Sequence, residues 1–357
     1  MRRVEIVLLL TVIALTLFGL LMIFDASSFI SFRDFGDKYH YIKEQSIWAV
    51  LGFVALYFFS QFDYKKLYAL SVPILLLAIG SLVLVFFPGI GVYILGAHRW
   101  IHFGSIIIQP AEYVKLALAI YLAAWFSQKE KGRFFAFLLL LFLVVLLVVL
   151  EPDMGTAAVI LFEALILYFV SGGNVVSLAL LAPLVGVGGF ILTKISPYRA
   201  KRLATFLNPD QQTLTASYHV KQILIALGMG GISGVGLGNS LQKYAYLPEN
   251  TTDSIFAIIA EELGFIGATI IILMFIVIIW YGFAISKHAK DNFGKLLSAG
   301  IIGFLGIQMI INLAAQTALV PLTGIPLPFI SYGGSSLIVD LSAVGILLNI
   351  AKKSHAS

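Results

Sequence analysis

Apolar residues gather along the chain into ten runs, all but the longer eighth about the 17–25 residues that cross a bilayer as a helix. They lie near 4–24, 45–61, 67–87, 107–127, 134–150, 154–170, 174–192, 254–285, 295–319 and 335–351. No internal repeat and no separable soluble domain breaks the series. Residues 1–357 therefore read as one integral membrane domain, an all-α polytopic protein of about ten transmembrane helices. An even number of spans returns both termini to one side.

One long polar stretch interrupts the pattern, between the seventh and eighth runs. From Thr193 to about Thr252 the chain is basic and Gly-rich, and it ends in Tyr246-Leu-Pro-Glu-Asn-Thr-Thr-Asp253. Ser196-Pro197 breaks it first, Tyr198 to Leu207 reads as a short basic helix, and Tyr218 to Leu227 as a second. Six glycines in the eleven residues Gly228–Gly238 call for tight turns or close backbone approach. They are out of register for a dinucleotide fingerprint, and no strand precedes them.

Basic residues set the orientation. Arg2, Arg3, Lys65, Lys66, Lys129, Lys131, Arg133, Lys287, Lys290, Lys295, Lys352 and Lys353 share the face of the termini. The short opposite loops hold only Arg33, Lys38, Lys43 and Arg99. The positive-inside rule makes both termini cytoplasmic and the 193–253 loop extracellular.

Composition agrees with lipid as the solvent. The chain is 60% hydrophobic and 11% charged, against roughly 25% charged for a soluble globule. Val4–Phe24 follows Arg2-Arg3 as a signal peptide would. Its length and the many similar runs after it favour a first span. The absence of cysteine excludes disulfides, thiolate metal sites and cysteine nucleophiles. A net charge of +5 fits basic cytoplasmic loops and gives no reason to invoke nucleic acid.

Ionisable groups in or beside the bilayer are expensive and therefore candidates for function. Asp253 opens the eighth run, where it reads equally as an N-cap and as a general base at the interface. At 100° per residue Glu261 falls about 80° from it and Glu262 about 180° away, so only Glu261 can share its face, and one of the two reads as a buried hydrogen-bond or salt-bridge partner. Glu112 and Lys115 follow Gln109-Pro110 at i, i+3, either a self-neutralising pair or a cavity contact. Arg199 and Arg202 form either a headgroup-touching face or a bidentate phosphate clamp to which Arg99 adds. His98 and His102 lack an evident third metal ligand. Glu151-Pro-Asp153 reads as a cap for the sixth run, Asp340 as a bond between neighbouring helices, and Glu163 has no partner that can be named.

These residues sit in longer strings: Gly96-Ala-His-Arg-Trp-Ile101, Gln109-Pro-Ala-Glu-Tyr-Val-Lys115, Glu151-Pro-Asp-Met-Gly-Thr156, Tyr198-Arg-Ala-Lys-Arg202, Gly236-Leu-Gly-Asn-Ser-Leu-Gln-Lys243, Tyr246-Leu-Pro-Glu249 with Thr252-Asp253, Glu261-Glu-Leu-Gly264 and Pro328-Phe-Ile-Ser-Tyr-Gly-Gly-Ser-Ser336. Together they resemble the SEDS family (shape, elongation, division and sporulation proteins) over essentially the whole chain. The wording is nearer the division branch, FtsW, than the elongation branch, RodA. The resemblance implies ten spans and glycosyl transfer on lipid II, which polymerises disaccharide-pentapeptide units at the bacterial cytoplasmic membrane. It makes Asp253 catalytic. Arg199, Arg202, Lys115, Glu112, Arg99 and Glu249 become substrate contacts, with Glu261 and Lys243 supporting.

The implied partners are a class B penicillin-binding protein transpeptidase and other division or elongation membrane proteins. No cofactor is demanded; a divalent cation such as Mg2+ is compatible with the clamp. The chain departs from the family pattern at Ser254 (usually Phe), Ala111 (usually Ser) and Thr251 (often His). None of the three removes a charge. A lipid II flippase, another polytopic transporter built on Glu112, Lys115 and Asp340, and a non-catalytic scaffold are the rival readings.

Overall fold

A chain this apolar must satisfy its main-chain N–H and C=O groups internally once in lipid, and helices do so segment by segment. In the computed structural model, which describes all residues except 1, 95–96, 105, 129–132, 196–199, 201, 205, 207–215, 245 and 356–357, eleven helices appear. In chain order they are α1 (Arg2–Phe35), α2 (His40–Gln61), α3 (Tyr64–Leu84), α4 (Pro110–Phe126), α5 (Phe134–Leu150), α6 (Met154–Val170), α7 (Val175–Ile195), α8 (Ala216–Gly230), α9 (Ile255–His288), α10 (Asn292–Gln316) and α11 (Gly334–His355). Among the described residues, α1, α2, α3, α9, α10 and α11 are long and apolar enough to cross a membrane. The shorter apolar helices α5, α6 and α7, and the buried α4, pack among them.

Ten of these helices correspond to the ten apolar runs, and α8 is the amphipathic helix expected within the long loop. Several boundaries differ, among them the start of α2 at His40 where 45 was expected, and two bear on the fold. Helix α1 continues past Phe24 to Phe35. The fourth span begins at Pro110, where a missing N–H is harmless, because Ile106–Ile108 is a strand. That strand belongs to a small antiparallel sheet that the hydropathy pattern hides, β1 (Gly91–Ile94), β2 (Ala97–Phe103) and β3 (Ile106–Ile108), paired in sequence order.

Helices α10 and α11 form the centre. Helix α11 packs on α2, and α10 on α9, α6 and α4, while α7 touches α6 at the edge. Helix α9 is broken at Gly264, whose φ of 66° and ψ of −167° leave the helical region. The Gly-rich run repairs that break. Phe265 and Ile266 donate N–H bonds to the carbonyls of Gly231 (2.9 Å) and Ile232 (3.1 Å). In return Val235 and Gly236 donate to the carbonyls of Glu261 and Glu262, both at 3.0 Å.

The backbones meet so closely that a Cβ on Gly264 would lie 2.3 Å from the Gly234 nitrogen, and one on Gly234 would lie 2.0 Å from the Glu262 carbonyl oxygen. Close approach is therefore what these glycines supply.

Gly264→Ala is expected to lose monodisperse protein or to melt well below the parent, because positive φ alone costs about 1–2 kcal/mol and the overlap adds to it. Gly80→Ala in α3, where a Cβ meets nothing within 4 Å, is the control and leaves the melting temperature in place. A fluorescence-detected melting curve checks both.

Candidate active site

The segment leading into α9 is held from every side. Asn250 is buried, and its Nδ2 donates to the carbonyls of Ala26 in α1 (3.1 Å) and Lys243 (3.4 Å). Glu249 adopts a positive φ of 51°, and its carbonyl accepts from the Thr252 and Ser254 amides at 3.2 and 3.1 Å. From the 328–336 string, the Ser331 hydroxyl donates to the Thr252 carbonyl at 2.6 Å and the Tyr332 amide to the Thr251 carbonyl at 2.8 Å. From α10, Asn312 Nδ2 and Gln316 Nε2 both donate to the Asp253 carbonyl, at 2.9 and 2.8 Å. The N-cap of α9 is Ser254, without a side-chain cap bond. Asp253 does not cap the helix.

With its backbone fixed, the Asp253 side chain is left with one weak neighbour bond, from Thr252 Oγ1 at 3.3 Å. It is half-buried. Burial first, then the nearby Glu249 carboxylate, push its pKa up to about 7; Arg202 and hydrogen bonds pull the other way. Gly324, with φ +77°, stands beside it, so that a Cβ there would lie 4.0 Å from Asp253 Oδ2. Arg202 reaches the same segment, where its Nη1 donates to the Leu322 carbonyl at 2.7 Å. His219 of α8 lies 2.8 Å through Nε2 from the Ser254 hydroxyl. Burial, then the Arg202 charge, lower its pKa to about 4, so this imidazole is neutral at working pH.

The other residues singled out in the sequence are dispersed. Arg199 lies outside the described residues. Glu112 and Lys115 form a buried ion pair of 2.8 Å, and Lys115 also donates to Gln308 of α10. Arg99 spends Nε on the Glu151 carbonyl (3.1 Å) and Nη2 on that of Pro152, which fastens β2 to the α5–α6 turn. Glu249 is exposed. Lys243 is buried between Asp25 of α1 (2.8 Å) and Glu262 (3.2 Å).

Glu261, whose helix angle suggested a shared face with Asp253, is instead committed to the Ser240 hydroxyl and the Leu241 amide. The Gly-rich run folds back over the α9 break and claims it. Asp153 does cap α6, through the Thr156 amide at 3.0 Å. Glu151 does not. Its carboxyl is buried without a hydrogen-bond partner, and burial, then Asp153, push its pKa up to about 9.

Asp340 bonds Ser336 of its own helix at 3.4 Å, where a bond to a neighbouring helix was expected, since i, i+4 spacing brings the two together. Glu163 is buried with both oxygens unbonded, and Lys115 acts on it electrostatically. No group of three or more His, Cys, Asp or Glu able to hold a metal occurs among the described residues.

Sequence reading missed Asn312, Gln316, Ser331 and His219. A polar pair at i, i+4 inside the apolar tenth helix was the available signal.

Apolar helices wrapped around a buried polar hub, with a lightly bonded carboxylate at the mouth of one of them, define a polytopic membrane protein. The chain belongs to the FtsW/RodA/SpoVE family, the SEDS proteins: the family described as cell cycle protein matches residues 5–356. It is 40% identical to stage V sporulation protein E of Bacillus subtilis, across 98% of this chain and 97% of that one. It is 39% identical to a probable peptidoglycan glycosyltransferase FtsW of Geobacter sulfurreducens, across 99% and 96%. Among solved structures it resembles a chain from work on the structural coordination of polymerization and crosslinking by a peptidoglycan synthase complex (TM-score 0.79, 27% identity, 98% of each chain). It also resembles the rod shape determining protein RodA of Thermus thermophilus (TM-score 0.72, 26% identity, 98% and 97% covered).

Lys115→Met leaves the Glu112 carboxylate buried and uncompensated, and is expected to cost about 3–5 kcal/mol of stability. The double variant Glu112→Gln/Lys115→Met recovers part of that loss. Thermal denaturation of the three proteins in one detergent measures it, and an additive double variant contradicts the pairing.

Proposed function

We propose that this protein is a peptidoglycan glycosyltransferase that polymerises lipid II into glycan strands at the outer leaflet of the bacterial cytoplasmic membrane. The observation that carries the reading is the Asp253 carboxylate: backbone clamped, side chain bonded only to Thr252 and its own amide, half-buried, and poised near neutrality beside Arg202. A general base works best with a pKa near the operating pH. The relative named as a probable peptidoglycan glycosyltransferase supports the same chemistry.

In this scheme Asp253 takes the proton from the 4-hydroxyl of the acceptor sugar. That oxygen attacks C1 of the donor, the C1–O bond to pyrophosphate breaks, and undecaprenyl pyrophosphate departs from the opposite face with the bonding electrons. Configuration at C1 inverts. Asp253 then returns its proton to water. Arg202, with Arg199, stabilises the charge that grows on the leaving group. A divalent cation such as Mg2+ would share with Arg202 the neutralisation of pyrophosphate charge, and among the described residues no group of three or more His, Cys, Asp or Glu stands ready to hold it. Both termini are cytoplasmic, which places Asp253 outside. We assign the protein to septal synthesis rather than lateral growth, on the FtsW-like strings around Lys243 and Tyr246. Its partner is a class B penicillin-binding protein transpeptidase, in line with the neighbour described as coordinating polymerization and crosslinking.

Asp253→Asn is expected to lower lipid II polymerisation by about 10²–10⁴-fold in purified protein assayed with its transpeptidase. Its stability should hold or rise. A carboxyl whose folded pKa is raised from 3.8 to about 7 favours the folded state fully only below the unfolded pKa, and loses that advantage as pH climbs through the folded value. At neutral pH the Asn variant is relieved of that penalty. Full activity in Asp253→Asn removes it from the mechanism, and absence of any glycan from detergent-solubilised wild type favours a flippase. Arg202→Ala should lower kcat/KM for lipid II by about 10²-fold; unchanged kinetics reduce Arg202 to a prop for the Leu322 carbonyl.

A further inference from the structure

The first turn of any helix has N–H groups without partners inside the helix. A short polar side chain at the entry ordinarily accepts one of them. At the start of α9 that side chain would be Asp253 or Ser254, and neither does so. The Ala257 N–H is shared instead between the Ser254 carbonyl of its own turn, at 3.0 Å, and the closer Gln316 Oε1 of α10, at 2.7 Å. The Nε2 of the same amide donates to the Asp253 carbonyl (2.8 Å) and to Asn312 Oδ1 (2.8 Å). Asn312, one turn earlier on the same face, donates to the Asp253 carbonyl (2.9 Å) and to the Ile325 carbonyl (2.8 Å). Both side chains are 1% exposed, and all four polar atoms are used.

We propose that Asn312 and Gln316 are positioning residues for the transfer: by capping α9 from outside and gripping the Asp253 peptide, they release the carboxylate for proton abstraction and fix where it points. The proposal rests on the assignment of Asp253 as the base. Two physical effects separate here. Gln316 performs the capping that would otherwise draw in the carboxylate, and a carboxylate that accepts backbone N–H bonds is a weaker base. Asn312 ties the Asp253 peptide to Ile325, in the segment whose Gly324 flanks the carboxylate and whose Leu322 carbonyl holds Arg202. Base and cation are thus indexed to one strap of chain, and a misplacement of about 1 Å at such a site can cost 10²-fold in rate.

The charged and titratable groups that face Asp253 are Glu249 of its own loop, Arg202, and, through Ser254, His219 of α8. Helix α10 and the 325–333 segment face it with Asn312, Gln316 and Ser331, which do not titrate in the working range.

The test is the pH profile of kcat for lipid II polymerisation by purified full-length variants with the transpeptidase. Gln316→Met is expected to lower the plateau kcat by about 10–10²-fold, with KM nearly unchanged, and to move the acid limb to lower pH as the carboxylate turns to cap α9. Asn312→Leu should lower kcat comparably and leave the acid limb in place, since the cap survives. Gln316→Glu keeps an acceptor for Ala257 but sets a second negative charge by Asp253, so its acid limb moves to higher pH. That variant carries the test should Gln316→Met not yield folded protein.

Parental kcat and an unmoved acid limb in both Gln316 variants overturn the proposal. Asp253→Asn, run alongside, separates the two claims. A dead Asp253→Asn with parental Gln316→Met refutes the clamp alone, and an active Asp253→Asn refutes the reading beneath it.

Discussion

A helix in hydrocarbon has no water to satisfy its main-chain ends, and α9 has two points where its ladder fails. At Gly264 the chain leaves helical geometry, and Gly231 and Ile232 lend carbonyls to the amides stranded there. At its start, where no side chain of its own turn caps it, Gln316 of a different helix shares the Ala257 N–H with the Ser254 carbonyl. Both repairs are made by groups distant in sequence, and both shape the same region. The first folds the Gly-rich run over the α9 break; the second frees the side chain of Asp253. The lightly bonded state of the Asp253 carboxylate is in this sense a by-product of how a broken membrane helix keeps its backbone bonded.

The charged residues divide along the same line. Lys243 bridges Asp25 and Glu262, while Glu262 also accepts the amides of Gly238 and Ser240. These bonds tie α1, the Gly-rich run and α9 together above the break. Deeper in the bundle, Glu112 and Lys115 neutralise each other and meet α10 through Gln308, which reaches on to the Pro326 carbonyl at 3.1 Å. Gln308, Asn312 and Gln316 thus form a polar row at i, i+4 spacing on α10, running from the buried ion pair to the Asp253 peptide. Glu112, Lys115, Lys243 and Glu262 are thus spent on architecture, whereas the Asp253 carboxylate ties no two elements together.

Much of this was legible in the sequence, because apolar run length and span number follow from bilayer thickness. The demand for close backbone approach in Gly228–Gly238 was also legible, and so was the candidacy of a carboxylate at the head of an apolar helix. What covers those glycines was not, since Gly264 sits in a run where glycine is unremarkable for a membrane helix. The sheet escaped because Ile106–Ile108 merges with the apolar run behind it. Asp253 read equally as cap and as base, two compatible roles; the structure removes the first, with Ser254 at the N-cap position and Gln316 on the Ala257 N–H. Arg99 shows a role that its string did not signal: two of its donors are spent on carbonyls that fasten β2 to the α5–α6 turn.

The central claim is that an ionised Asp253, with a pKa near 7, accepts the proton in glycosyl transfer. The pH dependence of kcat for wild-type polymerisation, at saturating lipid II with the transpeptidase present, tests it most directly. The account predicts a rate that climbs tenfold per pH unit on the acid side and levels off above about 7. A rate that stays flat from about two units below that value to above it would contradict it.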